Sequence, residues 1–517
     1  MGHIVDSGVV KHAPNWRTAV HREPLYDQTE QGASVRWLVV IAAAFAVSSA
    51  VVRWWLNRDF WLDEAMLAVN LPRVPWSQLH QPLPYFEQAA PLGFLYLAKL
   101  FGEATNYSQM GLRSLLLTVT LSALVLLFQA TRRILGSTVA IVATTAVALS
   151  PSAVEYSVQF KQYALEMAVA IALLALVLSI HHVGLSRRRV AAWFVAGCVA
   201  TVFSNTAPLI VAVGFASLLI EGLRSRVSRM AIAVALAAVA YGVLAAGYYF
   251  EILAPAAQYQ FMGYAHIYEP GYAAFPPNVR WLFGKAVAIS TGLFGARDPF
   301  MVRIAAGALI LICAAVGVLI AARRAWPLAI HVIALASLIV VLSMLHKLPI
   351  LEYRHFLFVL PFLAIVVAIS MSAAFNLLRR RFPERFTTRT AHALIMVLIV
   401  ALGIRAIVFA VAHAEREEVT PLLKIVDSEP PRTLWVHVAA QPAIEYLNHA
   451  QQGPPREYIG KLAHESAVPG FMWRTRWNVD EYLTAIDQVA AQHPRLWLLF
   501  SHASEETIST VVSRFGN

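Results

Sequence analysis

Two adjacent carboxylates, Asp63 and Glu64, close the stretch Arg58-Asp59-Phe60-Trp61-Leu62-Asp63-Glu64-Ala65. They follow an apolar run from Trp37 to Leu56, so they fall where a membrane span would meet water. Ionised groups at that boundary lose solvation and are kept mainly for a task or a partner. Paired acids suit the removal of a proton from a weak nucleophile such as a sugar hydroxyl. One group acts as base while its neighbour positions a partner or raises its pKa. The competing reading is a cap on a helix beginning at Ala65, where the macrodipole favours acids.

Cations follow further along. Lys161, near the end of Pro151-Ser152-Ala153-Val154-Glu155-Tyr156-Ser157-Val158-Gln159-Phe160-Lys161-Gln162-Tyr163, and Arg354, within Glu352-Tyr353-Arg354-His355-Phe356, each open an apolar run. Both can reach a lipid phosphate, whose concentrated charge calls for fixed cations. Lys161 has an alternative as a snorkelling interface anchor. Arg354, set among polar neighbours, is the better phosphate ligand. Tyr85, Tyr156, Tyr163 and Tyr353 can stack on a sugar or donate to phosphate oxygens, although Tyr also lines membrane interfaces for purely physical reasons. Gln88 shapes the first loop, Glu155 is either a second acid or a water-facing carboxylate, and His355 belongs to the Arg354 cluster. These seven, from Tyr85 and Gln88 to His355, are the expected substrate-binding residues. The external loops carry no His-x-x-x-His or carboxylate triplet of metal-binding spacing, so no cofactor is expected, and a divalent ion is left open.

These residues must be positioned by membrane helices. The chain has 517 residues, 58% of them hydrophobic and only 14% charged, and its mean hydropathy of +0.60 excludes a soluble globular protein. Its formal charge of +11 comes from basic residues between apolar runs. Topology accounts for them, and nucleic acid is not an expected partner. Cys198 and Cys313 both lie inside apolar runs, which argues against a disulfide framework or a thiolate metal site. The first run follows about thirty polar residues without a small-residue cleavage site, which fits a start-transfer anchor.

Spans are expected near 36–56, 112–130, 134–151, 164–182, 190–205, 206–221, 230–253, 301–321, 326–345, 355–376 and 391–412, about eleven in all. They read as nearly free of charge. Arg132-Arg133, Arg187-Arg188-Arg189, the arginines 224, 226 and 229, Arg323-Arg324, and the group from Arg379 to Arg389 all fall in alternate loops. By the positive-inside rule that face is cytoplasmic. The N-terminal tail, 1–35, is then inside, and the Asp63 loop, 57–111, is outside with the C-terminal part. Within that loop Phe94 to Lys99 reads as a helix on the membrane surface. The run from Trp281 to Gly295 is too short and Gly-broken for a span and reads as re-entrant or interfacial. After the transmembrane region, 36–412, residues 413–517 read as a small α/β domain. Its strands are expected at Thr433 to Val438 and Leu496 to Phe500, and its helices at Gln441 to His449 and Asp480 to Gln492.

Trp61-Leu62-Asp63-Glu64-Ala65, Gln88-Ala89-Ala90-Pro91, Tyr156 through Lys161-Gln162-Tyr163, and Glu352-Tyr353-Arg354-His355-Phe356 occur in this order in loops on one face. Together they resemble the GT-C glycosyltransferases, in particular the bacterial branch related to protein O-mannosyltransferases and aminoarabinose transferases. The resemblance implies an all-α polytopic GT-C membrane domain of about eleven helices with a small extracytoplasmic α/β domain, in a bacterial cytoplasmic membrane. It implies transfer of a sugar from a polyprenyl-phosphate donor to a glycan, lipid or protein acceptor at the outer face, usually with inversion. On that reading Asp63 is the general base, Glu64 orients the acceptor or a basic neighbour, and Lys161 and Arg354 hold the donor phosphate. The alternatives are a transporter or flippase of lipid-linked glycans, which would place ionisable groups near mid-bilayer, and a polymerase or ligase acting on similar substrates.

Overall fold

The computed structural model describes residues 33–225, 227–295, 300–412, 418–429, 433–437, 439–449, 457–459, 479–492, 495–501, 503 and 505–515. The expected N-terminal tail lies outside the described residues up to position 32. The chain opens with α1 (Ala33–Trp55), the short α2 (Leu62–Ala68), α3 (Leu92–Ala104), α4 (Gln109–Leu135), α5 (Ser137–Ala148) and α6 (Pro151–Tyr156). It continues with α7 (Tyr163–Val183), α8 (Arg187–Phe203), α9 (Ala207–Arg224), α10 (Ser228–Tyr248), α11 (Ala254–Tyr268) and α12 (Val279–Leu293). The last helices of the apolar region are α13 (Phe300–Arg324), α14 (Trp326–Met344), α15 (Leu360–Arg381) and α16 (Thr388–Ala412).

Among the described residues, each expected span falls on helix. Among the described residues, nine helical stretches are long and apolar enough to cross a membrane, so the chain is an integral membrane protein. Two of the expected spans fall outside that count. The first is α5, with 12 residues, and at about 1.5 Å per residue it falls well short of the hydrocarbon thickness. The second is α8, which spends the first three of its 17 residues on arginines. The Trp281 run forms α12, a helix of 15 residues, shorter than a span as expected. Small residues allow the bundle to close: Gly317 of α13 faces the Val366 carbonyl of α15, and a side chain there would collide with that oxygen.

The spans are less bare of charge than their composition implied. Arg113 lies in α4, Glu166 in α7 and Glu221 in α9, all of them buried. Each sits within about a turn or two of its helix end, where partners from loops and neighbouring helices can reach it. Glu166, for example, accepts the Asn205 backbone N–H at 3.2 Å, and Glu221 lies 3.8 Å from His181.

Among its described residues the C-terminal part contains α17 (Val419–Ser428), β1 (Thr433–Val436), α18 (Gln441–His449), β2 (Glu457–Ile459), α19 (Val479–Ala490), β3 (Trp497–Leu499) and α20 (Glu505–Phe515). The described strands are parallel in the order β2-β1-β3, with Leu434 opposite Tyr458 on one side and opposite Trp497 on the other. Parallel neighbours need crossover helices, and α18 and α19 supply them. The strands are shorter than the sequence suggested, because β1 stops at Val436 and β3 covers only Trp497–Leu499. Two apolar cores result. One lies within the helix bundle. The other joins the first loop, including Phe60, Leu62, Met66 and Phe94, to Phe160 and to Leu423, Trp435 and Tyr446 of the C-terminal part.

Candidate active site

The Asp63–Glu64 turn is held by helix chemistry first. Helix α2 begins at Leu62, three residues earlier than the sequence suggested, so both acids lie in its first turn, where the macrodipole favours them. Glu64 reaches back to accept the Trp61 backbone N–H at 3.0 Å, one half of a capping box. That leaves the two side chains in different surroundings. Glu64 is 2% exposed, whereas the Asp63 side chain is 21% exposed.

Glu64 is tied on every side. Arg113 Nη2 donates to its two oxygens at 3.3 and 3.2 Å, and the Phe160 backbone N–H donates at 2.5 Å. Arg113 also donates to the Arg58 and Asp59 carbonyls and lies 4.8 Å from the centre of the Phe60 ring. A buried acid with a charged partner and two backbone donors is a fixed structural group. It ties the first loop, α4 and the segment before Lys161 into one unit.

Asp63 is less enclosed. Arg354 Nη1 approaches Asp63 Oδ2 at 3.0 Å, and Arg354 Nε approaches Glu352 at 2.8 Å. Two residues 291 positions apart in sequence are therefore joined. Lys161 is 6% exposed, which excludes the snorkelling alternative, and its Nζ donates to Gln88 Oε1 at 2.7 Å. Burial pushes the Lys161 ammonium down to about 8 against the pull of Asp63 and Glu64.

An aromatic wall stands beside these groups. Tyr156 and Tyr163 pack edge to face at 5.3 Å, Tyr353 lies 6.3 Å from Tyr156, and His355 lies 5.7 Å from Tyr163. His355 is thus packed into the wall. Burial raises the Tyr156 phenol well above its usual value, with Tyr353 adding to the effect, so it stays a hydrogen-bond donor. Gly292 makes room for the wall, since a Cβ there would lie 2.5 Å from the Tyr353 ring.

The fold matches that of a known protein along nearly its whole length. The crystal structure of ArnT from Cupriavidus metallidurans in the apo state aligns with 94% of this chain and 95% of its own, at 15% identity and a TM-score of 0.54. The chain shares the fold of ArnT. A second ArnT structure, bound to undecaprenyl phosphate, aligns at a TM-score of 0.44 over 81% of this chain and 76% of its own, also at 15% identity. The Archaeoglobus fulgidus oligosaccharyltransferase, in complex with Zn and sulfate, aligns at 0.47 and 15% identity over 82% of this chain. This chain covers 62% of that protein's length. No family model matches the sequence, and no curated protein matches it.

On this ArnT fold, Asp63, Glu64, Lys161, Arg354, Gln88, Tyr156, Tyr163, Tyr353 and His355 are linked by the contacts above. Glu155 is 3% exposed, so it is no water-facing loop carboxylate. Tyr85 lies under the Arg73 guanidinium at 5.0 Å, and its backbone is clasped by Asn70 at 3.1 and 3.0 Å. It braces the first loop. Among the described residues no group of three or more His, Cys, Asp or Glu is gathered as a metal site. The cation set against Asp63 is a guanidinium.

Sequence reasoning missed Arg113, although a lone arginine four residues after the start of an apolar helix is itself a signal. It also missed Tyr268 at the end of α11, a phenol pushed up to about 12 by burial, which feels both Arg354 and Asp63. Nothing in the surrounding Tyr-rich loop distinguished that tyrosine from its neighbours.

Proposed function

We propose that the chain is a glycosyltransferase that moves a sugar from a polyprenyl-phosphate donor to an acceptor hydroxyl at the outer face of the membrane, with inversion. The observation that carries this reading is the Asp63–Arg354 pair at 3.0 Å beside buried Lys161, a partly exposed carboxylate set against two cations. ArnT, whose fold the chain shares, binds undecaprenyl phosphate in one of its structures, and that supports a lipid-phosphate donor.

In the reaction, the donor phosphate enters between Lys161 and Arg354. Its negative charge competes with Asp63 for the guanidinium, which leaves the carboxylate able to accept a proton. The acceptor oxygen attacks the anomeric carbon, the anomeric carbon–phosphate oxygen bond breaks, and the acceptor proton passes to Asp63. Polyprenyl phosphate leaves with the bonding electrons, and Lys161 and Arg354 stabilise its charge. The tyrosine wall supplies stacking faces and phenol donors for the sugar. Glu64 takes no proton, because its oxygens serve Arg113, Trp61 and Phe160. A transporter reading has less support, since the described acids and bases of the site cluster at one end of the bundle.

The test is incubation of purified protein with a panel of labelled polyprenyl-phosphate sugars and membrane extract, beside Asp63→Asn. Sugar transfer by the wild type and none by Asp63→Asn is the expected result. Transfer that survives in Asp63→Asn removes the base from the mechanism.

A further inference from the structure

The back of the Asp63–Glu64 turn is made by the C-terminal part of the chain. Phe60 packs against two rings: Tyr446 of α18 lies 4.8 Å away and Phe160 lies 5.7 Å away. Phe160 in turn gives its N–H to Glu64 and precedes Lys161 in sequence. The Tyr446 hydroxyl donates to the Tyr107 carbonyl, at the turn that leads into α4 and Arg113. One residue before Phe60, Asp59 accepts the Thr420 backbone N–H at 2.6 Å and the Thr420 hydroxyl at 2.7 Å. Thr420 stands in the first turn of α17. A fourth tie, between Arg73 and Glu445, joins the segment after α2 to α18.

We infer that the C-terminal part works as a clamp on the catalytic turn, with Tyr446 and Thr420 as positioning residues for Asp63. The inference rests on the proposed role of Asp63 as base. The turn from Asn57 to Trp61 has little regular structure to hold it. Asn57 adopts a φ of +35°, in the left-handed region. What fixes residues 59 and 60 is therefore their contacts. Arg113 of α4 and Phe160 supply some of them, and α17 and α18 of the C-terminal part supply the rest. The shared apolar core of the first loop and the C-terminal part is the same coupling at larger scale. A base misplaced by about 1 Å loses on the order of a hundredfold in rate, so an element that only holds the turn still sets turnover.

Hydrogen exchange on the full-length protein in detergent reads the clamp without any substrate. In Tyr446→Ala, amides of the peptide spanning 59–68 are expected to exchange about tenfold faster, while those of 163–183 stay protected. Tyr446→Phe, which keeps the ring on Phe60, restores protection. Unchanged exchange at 59–68 in Tyr446→Ala overturns the inference. If Tyr446→Ala loosens the whole bundle, Thr420→Val is read in the same peptide. Local loosening there supports the clamp, and wild-type exchange overturns it. Turnover with a polyprenyl-phosphate sugar as probe adds a second reading: kcat of Tyr446→Ala falls about tenfold with KM within about twofold, as for loss of a transition-state alignment. Asp63→Asn run in parallel separates the two ideas. Activity retained there removes the base role and leaves the exchange result standing.

Discussion

At the residue scale, the adjacent acids divide their work by burial. Asp63 stays partly exposed beside Arg354, while Glu64 is sealed with three donors around it. Asp63→Asn is expected to lower kcat by about 10²–10⁴-fold with donor binding retained, the usual range for a lost general base. Single-turnover assays beside a donor-binding measurement check this. Lys161 gives a pH signature. A lysine is a cation below its pKa, and burial has brought that value to about 8, so kcat/KM for the donor is expected to fall as pH rises through 8 in the free enzyme. Lys161→Arg moves this limb beyond the accessible range, and a limb that stays at pH 8 in Lys161→Arg assigns it to another group. The sign for stability is opposite. The folded lysine gives up its proton before the unfolded one, so its contribution improves as pH rises from about 8 towards the unfolded value of about 10.4.

At the element scale, the first loop, the start of α4 and the segment before α7 are pinned together through one buried ion pair. Removing one partner of such a pair strands the other charge, and this costs about 3–5 kcal/mol. Arg113→Ala is therefore expected to lower the melting temperature clearly. Arg113→Ala with Glu64→Leu should recover part of the loss, as a double-mutant cycle by thermal unfolding in detergent would record. A melting temperature unchanged in Arg113→Ala would mean that Glu64 has another cation. The sequence made the elements legible because spans and parallel strands follow from apolar runs and their lengths. Asp63, Lys161 and Arg354 stood out as charge at span ends. Arg113 stayed hidden because a loop charge draws attention at a boundary, whereas this one lies inside an apolar helix and its partner is 49 residues away. The pairing of Arg354 with Asp63 was equally out of reach. It depends on how α2 and the turn before α15 meet, and periodicity along one chain carries no information on that.

At the scale of the whole molecule, chain order alone makes a strong demand. Helices α4, α9, α13 and α15 end in arginines, while Asp63, Lys161 and Arg354 precede α4, α7 and α15 and so sit at the opposite ends of the bundle. A bilayer reads this asymmetry as orientation, because cytoplasmic loops carry the excess of Lys and Arg. The candidate site and the C-terminal clamp would then share the outer face with a lipid-linked donor, and the arginine loops would face the cytoplasm. Gln81 in the first loop and Arg187 at the start of α8 are both exposed and serve as reporters. In spheroplasts a membrane-impermeant maleimide is expected to label Gln81→Cys, with Arg187→Cys reacting only after permeabilisation. The half-buried Cys198 and Cys313 are replaced by serine beforehand. The reverse pattern would put Asp63 on the cytoplasmic side, and an acceptor outside the cell would then be unreachable in a single transfer.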